Sequence, residues 1–160
     1  MFEQLLPVVK VGKRILKSLG EDDSMMMGEL YNTIGNVYLE IGNPEKCTTK
    51  FLKVKRIREA LFPPEDPVVA NITNNLSLAE TASGNYTTAI GLSKRVIAIR
   101  KSLDDTTYGT YKKHTLPINM SNLCRILWMN GNYDEGAEVG EQAIKLAKEA
   151  FGLKSRNTAQ

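Results

Sequence analysis

The side chains best suited to catalysis or metal binding in this chain are one histidine and two cysteines. His114 stands beside Lys112 and Lys113, in a polar segment that we expect to be a solvated link between helices. Cys47 and Cys124 lie 77 positions apart, a separation that indicates neither a disulfide framework nor a metal-ligand pair. No spacing places a Ser, a His and an Asp on facing positions. We therefore predict no enzyme, no metal site and no cofactor, and we expect both cysteines to be structural thiols.

The composition is that of a folded domain, with 42% hydrophobic and 24% charged residues in a chain of 160. The 21 basic and 18 acidic side chains give a net charge of +3, a small excess for a dedicated nucleic-acid binder. No apolar run approaches the ~20 residues of a membrane span, and Lys10 follows the first apolar patch instead of preceding it as in a signal peptide. We expect one cytoplasmic domain, residues 1–160, with neither nucleic acid nor membrane as partner.

A segment of the chain recurs three times. Its copies are centred on Ile34, Leu76 and Leu123, at offsets of 42 and 47 residues, and each ends in a Gly-Asn pair. In the first copy Ile34, Val37, Tyr38 and Ile41 follow the helical spacing of one buried stripe. We expect Gly42, Gly84 and Gly131 to end these helices, and a second amphipathic helix to follow each glycine.

The pattern predicts helices at about 2–19, 25–42, 45–61, 67–83, 86–103, 116–130 and 133–151. Basic residues such as Arg100 suit the C-terminal turn of the second helices, where they face the negative end of the helix dipole. The segment 102–116 is expected to be the loosest connection. Tyr38, Phe51, Tyr86 and Tyr133 are interpreted as packing residues.

Glu80 occupies the position that Tyr38 has in the first copy. An isolated carboxylate between packed helices would have a raised pKa. We favour the alternative, in which the side chain reaches solvent or a nearby Arg or Lys.

These copies resemble tetratricopeptide repeats. The family pattern Leu-Gly-x2-Tyr, followed by Ala-x3-Phe, reads here as Ile34-Gly35-x2-Tyr38 and Cys47-x3-Phe51. The 42-residue period, Asn74-Asn75-Leu76 in a first helix and Ile57-Arg58 ending a second helix resemble the kinesin-light-chain subtype. Gly136 and Gly140 depart from the pattern in the third copy. The resemblance implies an all-α, right-handed α-solenoid of about seven helices in antiparallel pairs, with repeats at 25–66, 67–114 and 115–160 after a partial repeat and link at 1–24.

Stacked repeats of this kind line a concave groove with their first helices, so the resemblance implies a protein or peptide partner in that groove. Asparagine amides both donate and accept hydrogen bonds and can hold an extended backbone, arginine pairs with carboxylates, and tryptophan offers a flat apolar surface. The asparagines could instead bond to neighbouring helices and set the pitch, an alternative that the sequence leaves open. The residues that we predict for the groove are Asn32, Asn36, Asn75, Asn122, Arg125 and Trp128.

Asn36, Asn75 and Arg125 also resemble part of the carboxylate-holding set of co-chaperone repeats, but Asn32 and Ser121 stand where that set has lysines. Two further hypotheses remain: self-association through the uncapped ends, Leu5 to Leu19 and Ala143 to Phe151, and, with the least support, a catalytic or small-molecule groove. The chain would start and stop within a repeat, with Asn157-Thr158-Ala159 resembling a link to a further copy. The family resemblance implies a cargo adaptor or the repeat end of a NOD-like receptor.

Overall fold

The computed structural model describes residues 2–152, with side chains from residue 7 onward, so the side chain of Leu5 and the segment 157–159 lie outside the described residues. Within them the chain forms seven α-helices and no strand. The helices are α1 (Phe2–Ser18), α2 (Met25–Glu40), α3 (Pro44–Leu61), α4 (Pro67–Ala82), α5 (Tyr86–Ser102), α6 (Asp105–Met129) and α7 (Tyr133–Phe151). Six of them match the predicted helices to within two residues at each end.

The chain divides into two compact units, Met1–Asn85 and Tyr86–Gln160. In the first unit α1 packs on α2, α2 on α3, and α3 on α4. In the second unit α5 packs on α6, and α6 on α7. Helices that follow each other in sequence are therefore neighbours in space in each unit, as a chain of helical hairpins requires.

The predicted glycine stops are confirmed. Gly42, Gly84 and Gly131 have φ of +70°, +78° and +83°, a backbone region that glycine adopts without steric penalty. At each stop the amide of the following asparagine donates to the carbonyl five residues back in the closing turn: Asn43 to Tyr38 (2.8 Å), Asn85 to Glu80 (2.9 Å) and Asn132 to Leu127 (2.9 Å). These bonds form the Schellman motif, so local sequence alone ends these three helices.

The prediction for 102–116 was wrong, because α6 begins at Asp105 and not at residue 116. Asp104 caps the helix: its carboxylate accepts from the amide of Thr107 (2.8 Å) and the hydroxyl of Thr106 (2.6 Å). These hydrogen bonds hold the pKa of Asp104 far below its usual range, and the bond from the Thr106 hydroxyl has the largest effect. Pro117 lies inside the helix, which continues through it.

Two arginines near the C-terminal ends of α3 and α5 are buried in equivalent positions of successive repeats. Arg58, which is 7% exposed, donates to the Glu29 carboxylate on α2 (2.6 Å) and to the Val68 carbonyl on α4 (3.2 Å). Arg100, 3% exposed, donates to Asn119 and to the Tyr111 hydroxyl, both on α6. Each guanidinium therefore joins its helix to the next helix along the chain, beyond any role at the helix dipole.

Candidate functional site

In the first unit, two of the predicted groove residues contact each other. The Asn75 side-chain amide on α4 donates to the side-chain oxygen of Asn32 on α2 at 3.2 Å, and both residues are half-buried. This bond joins two helices that are separated in sequence by α3. Bonding between neighbouring helices is the alternative role for the asparagines that the sequence had left open. One bond uses only part of each amide, so the Asn32 NH2 group and the Asn75 oxygen keep hydrogen-bonding capacity for a ligand.

Asn36 lies one helical turn after Asn32 on α2, so the two amides share a face of the helix. Its side chain is exposed and makes no hydrogen bond with the described part of the chain. The first unit thus carries a small amide surface on α2 and α4, formed by Asn32, Asn36 and Asn75. We call it the amide surface.

In the second unit, the predicted residues lie along α6 at intervals of three. Asn122 is half-buried, whereas Arg125 is exposed and Trp128 is 53% exposed. The same face continues with Ile118 (54% exposed) and Met129 (46%). We call this set, Ile118, Asn122, Arg125, Trp128 and Met129, the α6 face.

The guanidinium of Arg125 has no acidic partner among residues 7–152. It makes a weak hydrogen bond there from Nη1 to the Met129 sulfur at 3.7 Å. A guanidinium pairs best with a carboxylate in a bidentate geometry. Arg125 is therefore available for such an anion, with an apolar surface on its own helix beside it.

Trp128 packs against the start of α7. Its ring meets the Tyr133 ring edge-on, with centroids 5.3 Å apart and planes at 66°. A Cβ at Gly136 would lie 2.6 Å from Trp128 Cδ1, and one at Gly140 would lie 3.1 Å from the Cys124 sulfur. The two glycines that depart from the repeat pattern thus leave room for Trp128 and Cys124 of α6.

The remaining chemical candidates have local roles. Glu80 accepts a hydrogen bond from the Asn85 side chain at 2.7 Å, so its partner is an amide instead of an Arg or Lys. His114 lies within α6, not in a link: its Nδ1–H donates to the Thr110 carbonyl (2.7 Å), and its ring packs against Phe151 at 5.3 Å. Cys47 is fully buried, and burial raises the pKa of its thiol to about 11.

Metal-type side-chain groups and membrane-spanning helices are both absent from the described residues. Within residues 2–152 no three His, Cys, Asp or Glu side chains are grouped as a metal ion would need. In the same range, none of the helices combines the length and the apolar content needed to cross a bilayer.

Comparison with protein families gives two matches, both described as tetratricopeptide repeat. The first covers residues 26–102 and the second residues 120–157, so together they cover more than half of the chain. A comparison with curated proteins gives no match.

Solved structures with the same fold include crystal structures of kinesin-light-chain-type repeats. BtubC (BKLC) from P. vanneervenii aligns with a TM-score of 0.80 and 17% identity over 95% of this chain, which spans 59% of that protein's length. The TPR-like repeats assigned to a kinesin light chain of Podosopora anserina align with a TM-score of 0.73 and 17% identity, over 98% of this chain and 72% of that one. A point-substituted form of those repeats gives a TM-score of 0.54 at 15% identity, over 94% and 90% of the two chains.

At such identities these alignments establish the fold, and the family matches establish the repeat. The seven helices are those of an all-α solenoid. The chain belongs to the tetratricopeptide repeat family and is kinesin-light-chain-like in the form of its repeats.

Proposed function

We propose that this chain is an interaction scaffold that binds an extended peptide or protein segment on the first helices of its repeats. Tetratricopeptide repeats mediate protein–protein interactions in general, and their fold is generally a non-catalytic scaffold. The finer proposal assigns the contacts to the amide surface of the first unit and to the α6 face of the second.

The α6 face is the observation that carries this proposal. Its exposed side chains combine an aromatic ring, a methionine and an arginine, the residue types enriched in protein interfaces. Among residues 7–152 the arginine has no acidic partner, and the indole packs against Tyr133 and the backbone at Gly136. A surface with this composition is suited to a partner that brings a carboxylate and an apolar side chain.

The amide surface contributes a different contact. The free NH2 group of Asn32, the oxygen of Asn75 and the whole amide of Asn36 can pair with the N–H and C=O groups of an extended backbone. Such contacts do not depend on the partner's side chains. Specificity would then come from Arg125 and Trp128.

Trp128 supplies the assay, because it is the one tryptophan of the chain. A partner is first recovered with the intact chain by pull-down and identified by mass spectrometry. Its shortest binding segment is then titrated into the chain while the fluorescence emission of the indole is recorded. We expect the emission to shift to shorter wavelength as the half-exposed ring is covered. The Arg125→Ala, Asn75→Ala double variant should weaken binding about tenfold, since loss of a charged hydrogen bond alone costs roughly 1.5 kcal/mol.

Lys101→Ala is the matched control, because Lys101 is an exposed cation on α5, outside the α6 face. Circular dichroism checks that each variant is folded. If the folded double variant binds the segment as tightly as the parent chain, the assignment of the amide surface and the α6 face is refuted.

Cytoplasmic placement is part of the same proposal. Both cysteines are free thiols, Cys47 buried and Cys124 half-buried. This is the state that a reducing compartment maintains.

A second candidate function, self-association, is favoured by α1. Four aliphatic side chains in and just after this helix, spaced by three or four residues, are 52–69% exposed: Val8, Val11, Ile15 and Leu19. Ile15 also lines a hollow of about 400 Å³ between α1 and α2. Light scattering tests this candidate: the parent chain should be oligomeric and an Ile15→Glu variant monomeric, whereas a monomeric parent chain at high concentration would exclude it.

A further inference from the structure

Three lysines of the first unit lie over two tyrosine rings of α2, and a fourth, Lys50, lies between two of them on α3. The Nζ atoms of Lys13 (α1) and Lys53 (α3) lie 5.5 and 5.2 Å from the centroid of the Tyr31 ring. The Nζ of Lys46 (α3) lies 5.6 Å from the centroid of the Tyr38 ring. We call Lys13, Lys46, Lys50 and Lys53 the lysine face.

Three of these lysines form one row on α3. Lys46, Lys50 and Lys53 are spaced by four and three residues, so they share a side of the helix and extend along it for about 10 Å. Burial lowers the pKa of Lys50, and the neighbouring charges of Lys53, Lys13 and Lys46 lower it further. The positive charges are therefore close enough to repel one another in the free protein.

The carboxylates nearby are paired with other cations. Asp22 lies 3.5 Å from Lys17, and Asp23 lies 2.7 Å from Arg56. Among residues 7–152 no carboxylate lies within 4.0 Å of the Nζ atoms of the lysine face. Like charges with no carboxylate in direct contact among residues 7–152 weaken the fold slightly, and an anion that covers them removes that repulsion.

We propose that the lysine face docks an acidic segment of a partner protein, with a series of Asp or Glu carboxylates pairing along the row on α3 and at Lys13. The charges are spread over about 10 Å, which suits several separate carboxylates better than one compact anion. Side chains on one side of an extended segment repeat every ~7 Å, and those one turn apart on a helix every ~6 Å, so either form can follow the row.

Charge balance favours a protein segment over a nucleic acid or a membrane surface. Residues 1–85, the first unit, contain ten basic and eleven acidic side chains. The positive potential is thus local and offers little long-range attraction to a polyanion. A partner has to bring its own carboxylates into close contact.

This surface is separate from the proposed amide surface. On α2 each residue advances about 100° around the helix axis. Tyr31 and Tyr38 therefore point about 100° or more away from Asn32 and Asn36. One partner could use both surfaces, but each can be tested and can fail without the other.

The test uses the full chain and a rhodamine-labelled decapeptide of alternating Glu and Ser, with the matching Gln and Ser peptide as the uncharged control. Fluorescence anisotropy is measured at low and at high NaCl, about 50 and 300 mM. We expect the Glu peptide to bind, more weakly at the higher salt, and the Gln peptide not to bind. The Lys46→Gln, Lys53→Gln variant should weaken binding about fivefold, because each exposed pair contributes modestly.

Lys101→Gln with Lys145→Gln is the control of equal charge, because both lysines are exposed and lie in the second unit. It should bind as the parent chain does, and so should Asn36→Ala, which alters only the amide surface. NMR of the Lys50 side chain should show its pKa rising when the Glu peptide is added.

Three outcomes would overturn the proposal. The first is that the Glu peptide does not bind at millimolar concentration. The second is that the two double variants weaken binding of the Glu peptide equally. The third is that the chain binds duplex DNA or phosphatidylserine vesicles through the lysine face but does not bind the Glu peptide. Circular dichroism establishes that the variants are folded, which the exposed positions of Lys46 and Lys53 favour.

Discussion

Replacing Gly35 by alanine should destabilise the first unit, although the same replacement elsewhere in α2 should stabilise it. Gly35 lies in the interior of α2, where alanine is normally favoured over glycine by about 1 kcal/mol. An added Cβ would lie 2.4 Å from Phe51 Cε1 and 2.6 Å from its Cδ1, well inside the ~3.5 Å contact distance of two carbons. Phe51 is fully buried on α3, so its ring has little room to move away.

Overpacking of this kind costs typically about 1–3 kcal/mol, and a clash with a buried ring belongs in the upper part of that range. After subtracting the gain in helix propensity, we expect Gly35→Ala to lower the free energy of unfolding by about 1–2 kcal/mol.

Gly28 provides the matched control because it is also buried in α2. A Cβ there would meet the Ile57 side chain at 3.6 Å, an ordinary van der Waals contact. Gly28→Ala should therefore raise the free energy of unfolding by roughly 0.5–1 kcal/mol.

Urea denaturation followed by circular dichroism measures both variants. With a slope of about 2 kcal/mol per M, the two midpoints should differ by about 1 M, with Gly35→Ala the lower. A Gly35→Ala protein that unfolds at higher urea than the parent chain would refute the packing of α2 on α3 described above.

Two further predictions concern buried groups. Arg58→Met should lower the free energy of unfolding by about 1.5–3 kcal/mol in the same urea assay, because it removes a charged hydrogen bond to Glu29 and a second hydrogen bond to the Val68 carbonyl; an effect no larger than that of exposed Arg56→Met would contradict it. The pKa of the Cys47 thiol is about 11 in the folded protein, against an ordinary value of 9.0. The thiol therefore ionises at lower pH in the unfolded chain, and the free energy of unfolding falls as the pH rises from 9 to 11. The fall in the free energy of unfolding due to this thiol should reach about 2–3 kcal/mol, measured as the difference between the pH profiles of the parent chain and Cys47→Ala. Identical pH profiles of the two proteins would show that the buried thiol does not cause this pH dependence.

Sequence reasoning succeeded where the determinant is local. Helical spacing around Ile34 and a glycine with positive φ after each first helix depend on a few consecutive residues, because a helix and its Schellman motif are closed by hydrogen bonds within one or two turns. The one large error, the start of α6, was also local. Asp104 before Asp105 and two threonines is an N-cap signal, and the helix that begins there continues through Pro117.

The sequence by itself determined the helical repeat, the positions of the glycine stops and the residue types available for binding. Only the tertiary structure decided which of them meet: Asn75 with Asn32, Phe51 with Gly35, Trp128 with Gly136, and three lysines with Tyr31 and Tyr38. The reason is that periodicity fixes the side of a helix on which a residue lies, whereas the distance between residues on different helices depends on how side chains of particular size fill the space between them.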